Sequence, residues 1–198
     1  MNLANKLTLF RIILVPIMVI IPFLNIDATF LGIPVTWIII DIIFIIASIT
    51  DKLDGYIARS KNQITTFGKF LDPIADKILV ISAMIMLVED GRLPAWIPII
   101  VLFREFIVSG YRLVAVQNEG KVIAASIWGK LKTVTQMLAL IVALVDTNAF
   151  GAIFTKGLNT YEFIINLFVT IMMSISVVAT IASGIDYVKD GKELLKDK

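Results

Sequence analysis

Cysteine and histidine are both absent from the 198 residues of this chain. Without cysteine there is no disulfide, no thiolate nucleophile and no thiolate metal site. Without histidine there is no imidazole base, no phosphohistidine intermediate and no histidine-bound metal. Any chemistry that the protein performs must therefore use carboxylates, hydroxyls, lysine, arginine and bound metal.

Charged residues are also few, at 17% of the chain, whereas 58% of the residues are hydrophobic and the mean hydropathy is +0.91. Soluble domains are only ~45–50% apolar, so this composition predicts an integral membrane protein. A helix needs about 20 apolar residues to cross a bilayer, and six runs approach that length, at residues 7–25, 33–53, 68–88, 95–118, 128–147 and 161–187. We therefore expect an all-α, polytopic membrane protein, with residues 1–198 forming a single domain of six transmembrane helices. The first helix is expected to be retained rather than cleaved as a signal peptide.

The distribution of lysine and arginine predicts the orientation, because cytoplasmic loops carry an excess of basic residues. With both termini in the cytoplasm, Arg92 and Lys156 are the only ones of the 18 basic residues on the far side. We expect a multi-pass protein of the cell membrane, surrounded by membrane lipids and without a nucleic-acid partner. Its cytoplasmic face then carries the end of the second helix and the start of the third.

Four aspartates occur at these two helix ends. Asp51 and Asp54 are three residues apart, and Asp72 and Asp76 are four apart, so each pair shares one helical face. If the helices run antiparallel, the two faces can meet. An acid at membrane depth costs ~2.5–3.5 kcal/mol, and four neighbouring acids repel unless cations neutralise them. Oxygen donors without a softer ligand suit Mg²⁺ or Mn²⁺, so we predict two divalent cations that clamp a diphosphate.

Small and basic residues extend the acidic set into an eight-position frame, Asp51-x-x-Asp54-Gly55-x-x-Ala58-Arg59-x8-Gly68-x3-Asp72-x3-Asp76. The glycines and the alanine leave room for a flat or phosphorylated ligand, and the arginine offers a planar fork for phosphate oxygens. Pro73 leaves two alternatives: the third helix starts near Asp72, which caps it, or it starts earlier and is kinked. A simpler interpretation is that the acids only pair with nearby lysines and arginines. It would explain a single ion pair, but it would not explain a match at eight specified positions.

This frame resembles the signature of the CDP-alcohol phosphatidyltransferase family at all eight positions, and the six-helix plan is similar to that family's across essentially the whole chain. The family transfers a substituted phosphoryl group from a CDP-linked donor to an alcohol and releases CMP. The resemblance implies that Asp51, Asp54 and Asp72 bind metal. It also implies that Asp76 lies near the metal and is the general base.

The same resemblance implies which residues contact the CDP-linked donor. It also implies that the protein is a homodimer. Gly55, Ala58 and Arg59 would contact the cytidine diphosphate, with Gly68 clearing space opposite. Asn5, Thr8 and Arg11 recur every three residues and so share one face of the first helix, which an N-cap with interfacial snorkelling would also explain. In the family a similar Asn-x-x-Thr helps to bind the nucleotide or its phosphates, so Asn5 and Thr8 are expected to contact CDP-diacylglycerol.

The remaining candidate site residues are basic side chains in the fourth and fifth predicted helices: Arg104, Arg112, Lys130 and Lys132. A structural ion pair with Glu105 is one interpretation of Arg104. Four cations near the acidic site suit an anionic acceptor better, because they would donate charge-assisted hydrogen bonds to its phosphate. Residues 104–109 and 129–133 resemble the corresponding segments of bacterial phosphatidylglycerophosphate synthases, whose substrates are CDP-diacylglycerol and sn-glycerol 3-phosphate.

We therefore expect a metal-dependent phosphatidyltransferase in which Asp76 deprotonates the acceptor hydroxyl and CMP is displaced directly, since no residue offers a covalent relay. One rival is another acceptor in the same family, such as serine, inositol phosphate or phosphatidylglycerol. A neutral or zwitterionic acceptor would not need four cations. The rival from another class is a divalent-cation transporter, which should have acids spread through the bilayer, whereas the four aspartates gather at one face, with Asp41 deep in a predicted span.

Overall fold

The computed structural model describes residues 3–60, 66–117 and 127–191; for residues 3–4, 54–60, 66–70, 72, 112–117 and 190–191 it describes the backbone only. Within these residues a long helix lies over each of the six apolar runs: α1 (Leu3–Ile20), α2 (Val35–Ser60), α3 (Thr66–Glu89), α4 (Trp96–Gln117), α5 (Ile127–Val145) and α6 (Thr160–Gly191). Short 3-10 turns follow at Ile21–Leu24 and Ala152–Phe154.

The eight positions from Asp51 to Asp76, which we call the acidic frame, all lie within the helices α2 and α3. α2 runs seven residues beyond the predicted end at residue 53, so Asp51 and Asp54 are both helical. α3 begins at Thr66 and passes through Pro73, so the helix starts earlier than Pro73 and Asp72 does not cap it. The three- and four-residue spacings within the two pairs therefore do place each pair on one helical face.

A small β-hairpin precedes α2 and was not predicted. Strand β1 (Thr29–Phe30) pairs antiparallel with β2 (Ile33–Pro34). The two turn residues, Leu31 and Gly32, have φ of 53° and 80°, and two-residue hairpin turns favour positive φ at both central positions. Because these residues are mostly apolar and so few, they merge in the sequence with the apolar run of α2.

Three helices are long and apolar enough to cross a membrane within the described part of the chain: Asn5–Leu24, Ile127–Val145 and Thr160–Lys189. The remaining long helices, α2, α3 and α4, each carry at least three charged residues in any 18-residue stretch. Those charges include the predicted site residues Asp51, Asp76 and Arg104. The residues that point to chemistry are thus the same ones that make these helices less apolar.

The chain divides into two compact units. The first comprises Met1–Arg92 and Ile141–Ala149, and in it α1 packs against both α2 and α3 around side chains such as Met18, Phe44 and Met84, which have no exposed surface.

The second unit comprises Leu93–Leu140 and Phe150–Lys198, and in it α4 packs against α6. A reciprocal capping box starts α6, which fixes where that helix begins. The Asn159 side chain accepts from the Glu162 backbone N–H at 2.9 Å, and the Glu162 carboxylate accepts from the Asn159 backbone N–H at 3.2 Å.

Arg92, in the loop between α3 and α4, caps the C-terminal end of α5 inside the first unit. Its Nη1 lies 3.1 Å from the carbonyl oxygens of both Ala143 and Leu144, and 2.6 Å from that of Asp146. The last carbonyls of a helix have no intrahelical donor, so a buried helix end needs such a partner. Arg92 supplies it.

Two further contacts hold the Arg92 guanidinium in place. Its Nε forms an ion pair with Asp90 at 2.6 Å, and its central carbon lies 3.8 Å from the centre of the Trp37 ring near the start of α2. Burial lowers the pKa of Arg92, whereas the charge of Asp90 acts in the opposite direction. Trp37 precedes Asp51 by fourteen helical residues, so this contact lies roughly 20 Å along α2 from the acidic frame.

We expect Arg92→Met to lower the free energy of unfolding by about 2 kcal/mol or more, because several buried carbonyls lose their donor. Thermal unfolding of the detergent-solubilised protein, followed by circular dichroism, measures the change. Lys156→Met is the matched control, since Lys156 is an exposed cation on the same predicted side of the membrane. Equal unfolding midpoints for the two variants would contradict the capping role.

Candidate active site

The buried polar face of α1 meets the acidic frame in the first unit. Asn5, Thr8 and Arg11 are all buried, and Arg11 has no exposed surface. The Arg11 Nη1 lies 2.7 Å from the Oδ1 of Asp51 in α2. The predicted common face of Asn5, Thr8 and Arg11 is therefore confirmed. Interfacial snorkelling of Arg11 is wrong, because its guanidinium turns into the protein toward a carboxylate.

Asp51 keeps an open side despite this ion pair. Arg11 contacts one carboxylate oxygen, and the Asp51 side chain is 38% exposed. Asp76, on α3, is half-buried and makes polar contacts of its own. The side chains of Asp54 and Asp72 lie outside the described residues, as do those of Gly55, Ala58, Arg59 and Gly68. Their backbones place all of them on α2 or α3.

Carboxylate oxygens are the metal ligands that this end of the first unit offers. Among the side chains that the structure describes, no group of three or more acids has a metal-binding arrangement, and only Asp51 and Asp76 of the four aspartates are among them. Hard oxygen donors with excess negative charge suit Mg²⁺ or Mn²⁺ and do not suit softer metals. Donor type and charge therefore fit the predicted cations, with Asp51, Asp54, Asp72 and Asp76 as the residues that would hold them.

A second polar cluster, built from α4, α5 and α6, lies in the second unit. The Oε1 of Glu105 accepts from Arg104 Nη1 at 2.9 Å and from Lys132 Nζ at 2.7 Å. The Nη2 of Arg104 donates to the Ser183 hydroxyl at 2.6 Å. We call Arg104, Glu105, Lys132 and Ser183 the basic cluster. The structure thus brings together two of the four predicted acceptor-binding cations.

The other two predicted cations are not part of these contacts. Lys130 is exposed, whereas Lys132 is buried, because residues two apart on a helix point in nearly opposite directions. The Arg112 side chain lies outside the described residues. A role for Lys130 and Arg112 in acceptor binding stays a prediction.

Glu105 and Ser183 are the members of the basic cluster that the sequence did not assign to the site. Glu105 was considered only as the partner of Arg104 in a structural ion pair. Ser183 is 79 residues from Arg104 in sequence, so no local pattern joins them. The one available signal was the presence of small residues, Gly129 and Gly184, whose missing side chains leave space beside Arg104.

The sequence of this chain is similar to those of known proteins. A sequence model described as CDP-alcohol phosphatidyltransferase matches residues 1–182. The chain belongs to the CDP-alcohol phosphatidyltransferase family. The family membership that the sequence indicated is therefore confirmed.

Relatives similar to this chain carry names from one branch of the phosphatidyltransferase family. A Bacillus subtilis protein named CDP-diacylglycerol–glycerol-3-phosphate 3-phosphatidyltransferase is 42% identical over 200 residues, which cover 98% of this chain and 97% of the relative. A Haemophilus influenzae protein of the same name is 39% identical, covering 99% and 96%. A Mycobacterium tuberculosis protein named as a probable phosphatidylglycerophosphate synthase is 36% identical, covering 94% and 80%.

We expect Arg11→Met to destabilise the protein most when divalent cations are removed by a chelator. Breaking an ion pair with a fully buried arginine costs several kcal/mol, and partial exposure of Asp51 reduces this to about 1–3 kcal/mol. Bound Mg²⁺ or Mn²⁺ supplies positive charge to the same carboxylates, so added cation should raise the unfolding midpoint of the variant more than that of the unaltered protein.

The control is Lys6→Met, which removes an exposed cation from the same helix. It should respond to Mg²⁺ and Mn²⁺ as the unaltered protein does. Equal destabilisation of Arg11→Met with and without divalent cation would contradict a link between Arg11 and the acidic frame.

Proposed function

We propose that this protein transfers the phosphatidyl group of CDP-diacylglycerol to sn-glycerol 3-phosphate, giving phosphatidylglycerophosphate and CMP. The observation that carries the proposal is the family match over residues 1–182, together with relatives at 36–42% identity that are named for this reaction. The complete eight-position frame supports the transfer chemistry. That residues 1–198 work as a single catalytic domain, and as a homodimer, stays a prediction.

The donor site of the proposed enzyme is the acidic end of the first unit. Asn5 and Thr8 are buried polar side chains on the α1 face that Arg11 joins to Asp51, which supports their proposed contact with the nucleotide or its phosphates. Two Mg²⁺ or Mn²⁺ ions, when bound by the four aspartates, would neutralise the diphosphate and stabilise CMP as the leaving group.

Asp76 is the proposed general base. Its carboxylate takes the proton of the acceptor's 1-hydroxyl, the hydroxyl oxygen forms a bond to the phosphorus that bears diacylglycerol, and the bond from that phosphorus to CMP breaks. A positioned base contributes ~10²–10⁴-fold to a rate of this kind. The absence of cysteine and histidine supports direct displacement without a covalent intermediate.

The acceptor has a phosphate as well as a hydroxyl, and the basic cluster supports a site for that phosphate. Arg104 and Lys132 share one carboxylate, so the cluster keeps a net positive charge. Serine, inositol phosphate and phosphatidylglycerol are the alternative acceptors within the family. The net positive charge favours a phosphorylated acceptor over a zwitterionic one.

A divalent-cation transporter is the alternative from another class. Asp41 is a buried acid in the second turn of α2, and its Oδ1 has no hydrogen-bond partner within the described residues. An ion path needs a series of such groups through the bilayer. Asp51 and Asp54 instead lie toward the end of α2, which favours the transferase.

The proposal is tested with purified protein, CDP-diacylglycerol, Mg²⁺ or Mn²⁺ and a panel of alcohols, with CMP release as the measurement. We expect release with sn-glycerol 3-phosphate and not with serine, inositol phosphate or phosphatidylglycerol, and we expect a chelator to abolish it. Asp76→Asn should reduce kcat by about 10²–10⁴-fold and leave donor binding within about twofold.

Glu89→Gln is the matched control for Asp76→Asn, because it makes the same acid-to-amide change at an exposed position at the end of α3. Its kcat should equal that of the unaltered protein. Near-normal turnover by Asp76→Asn would remove Asp76 as the base, and CMP release with none of the alcohols would remove the proposed function.

We further propose that all six long helices cross the cell membrane with both termini and the acidic frame in the cytoplasm. The chain has no native cysteine, so single cysteines can report the topology without background. Leu31→Cys at the hairpin tip and Lys156→Cys should react with a membrane-impermeant maleimide in intact cells. Lys189→Cys, an exposed position in the last turn of α6, should react only after the membrane is opened. Labelling of Lys189→Cys in intact cells would contradict this orientation.

A further inference from the structure

Arg104 is held on three sides by side chains of its own unit. Its Nη1 is bound to Glu105, its Nη2 to Ser183, and its central guanidinium carbon lies 5.6 Å from the centre of the Tyr187 ring. Ser183 and Tyr187 are one turn apart on α6, and both are buried. A long, flexible side chain is thereby fixed in one orientation by an element that carries none of the residues of the acidic frame.

Two glycines lie beside this arrangement. A Cβ on Gly129, in α5, would lie 3.3 Å from the Nη2 of Arg104 and 3.6 Å from the Oγ of Ser183. A Cβ on Gly184 would lie 3.5 Å from the Arg104 Cγ. A methyl group at residue 129 would therefore press on the Nη2 of Arg104 that donates to Ser183, whereas one at residue 184 would make an ordinary van der Waals contact.

The fixed guanidinium still has donors to offer an anion. Within the described part of the chain, each Nη of Arg104 donates one hydrogen bond and keeps a second N–H. Lys132, held by the same Glu105 oxygen, likewise has further N–H groups on its Nζ. Because the side chains are already ordered, an anion that binds them loses less free energy to side-chain ordering.

We propose that Ser183 and Tyr187 are positioning residues for the acceptor: they hold Arg104 in the orientation in which it binds a phosphomonoester. This inference rests on the proposed function, because it takes the acceptor to be a phosphorylated alcohol. It adds α6 to the elements that determine acceptor recognition. It also assigns Gly129 a role, which is to leave room for the bond between Arg104 and Ser183.

The test is a kinetic comparison of Ser183→Ala and Gly129→Ala with the unaltered enzyme. Ser183→Ala removes a hydrogen bond to a charged group, so the KM for sn-glycerol 3-phosphate should rise about tenfold. The KM for CDP-diacylglycerol and the kcat should stay within about twofold. Gly129→Ala should shift the same KM in the same direction, since the atom it displaces is the movable end of Arg104.

A double variant checks that both changes act on one bond. The KM for sn-glycerol 3-phosphate of Ser183→Ala combined with Gly129→Ala should be no higher than that of the more affected single variant. Tyr187→Leu, which removes the ring beside the guanidinium, should also raise this KM and not the KM of the donor.

Ser176→Ala is the matched control for the loss of a buried hydroxyl from α6. Ser176 has no exposed surface, and its Oγ has no hydrogen-bond partner in the part of the chain that the structure describes. Both KM values of this variant should be unchanged.

Three outcomes are decisive. A KM for sn-glycerol 3-phosphate within about twofold of the unaltered value in both Ser183→Ala and Gly129→Ala would overturn the inference. A fall in kcat with both KM values unchanged would overturn it as well, because it would indicate a role other than acceptor positioning. Failure of the unaltered enzyme to use sn-glycerol 3-phosphate would instead contradict the proposed function, and this is known before any variant is compared.

Discussion

A charge that is removed from water must be compensated inside the protein, and the pair of Arg11 with Asp51 is where this constraint acts most strongly. A guanidinium without exposed surface is costly to bury unless a carboxylate lies against it. The pair therefore favours one register of α1 against α2, the register that brings the buried Asn5 and Thr8 to the same side as the acidic frame. Because α1 also packs on α3, the helix that carries no acid helps to position both helices that do.

The same constraint explains the contacts of Arg92 and of the basic cluster. Arg92 satisfies the carbonyls at the end of α5 and stacks on Trp37, and Glu105 joins two cations from two helices. Charged residues such as Asp51, Asp76 and Arg104 are the reason that α2, α3 and α4 are less apolar than the other long helices. A helix whose charges are paired within the protein does not present them to lipid. Low apolarity is therefore weak evidence against membrane crossing by these three helices.

Periodicity and spacing predicted the parts of the structure that depend on neighbouring residues. The six helices, the common face of Asn5, Thr8 and Arg11, and the pairing of acids by three and four residues all follow from the geometry of one helix. The β-hairpin was missed because a few apolar residues look the same in a short strand and at the start of a helix.

The sequence could not identify partners that are distant along the chain. Asp51 has Lys52 beside it, yet it pairs with Arg11, and Arg104 pairs with Ser183 as well as with its neighbour Glu105. Such choices depend on helix packing and side-chain rotamers rather than on local pattern. For that reason the residues of the acidic frame could be named from the sequence alone, whereas the residues that hold the basic cluster could not.

A carboxylate among the cations that we propose to bind the acceptor would, by its charge alone, oppose the binding of a phosphate. Without Glu105, however, Arg104 and Lys132 would repel each other at a largely buried site, and each would carry its full desolvation cost. One shared oxygen reduces both costs and leaves a net positive charge with unused N–H donors. An acceptor with an anionic phosphate can then compensate this positive charge, whereas a zwitterionic acceptor, which has no net charge, leaves it uncompensated. In the proposed function, discrimination between acceptors then follows from this residual charge and from a guanidinium held still enough for its remaining N–H donors to face one ligand.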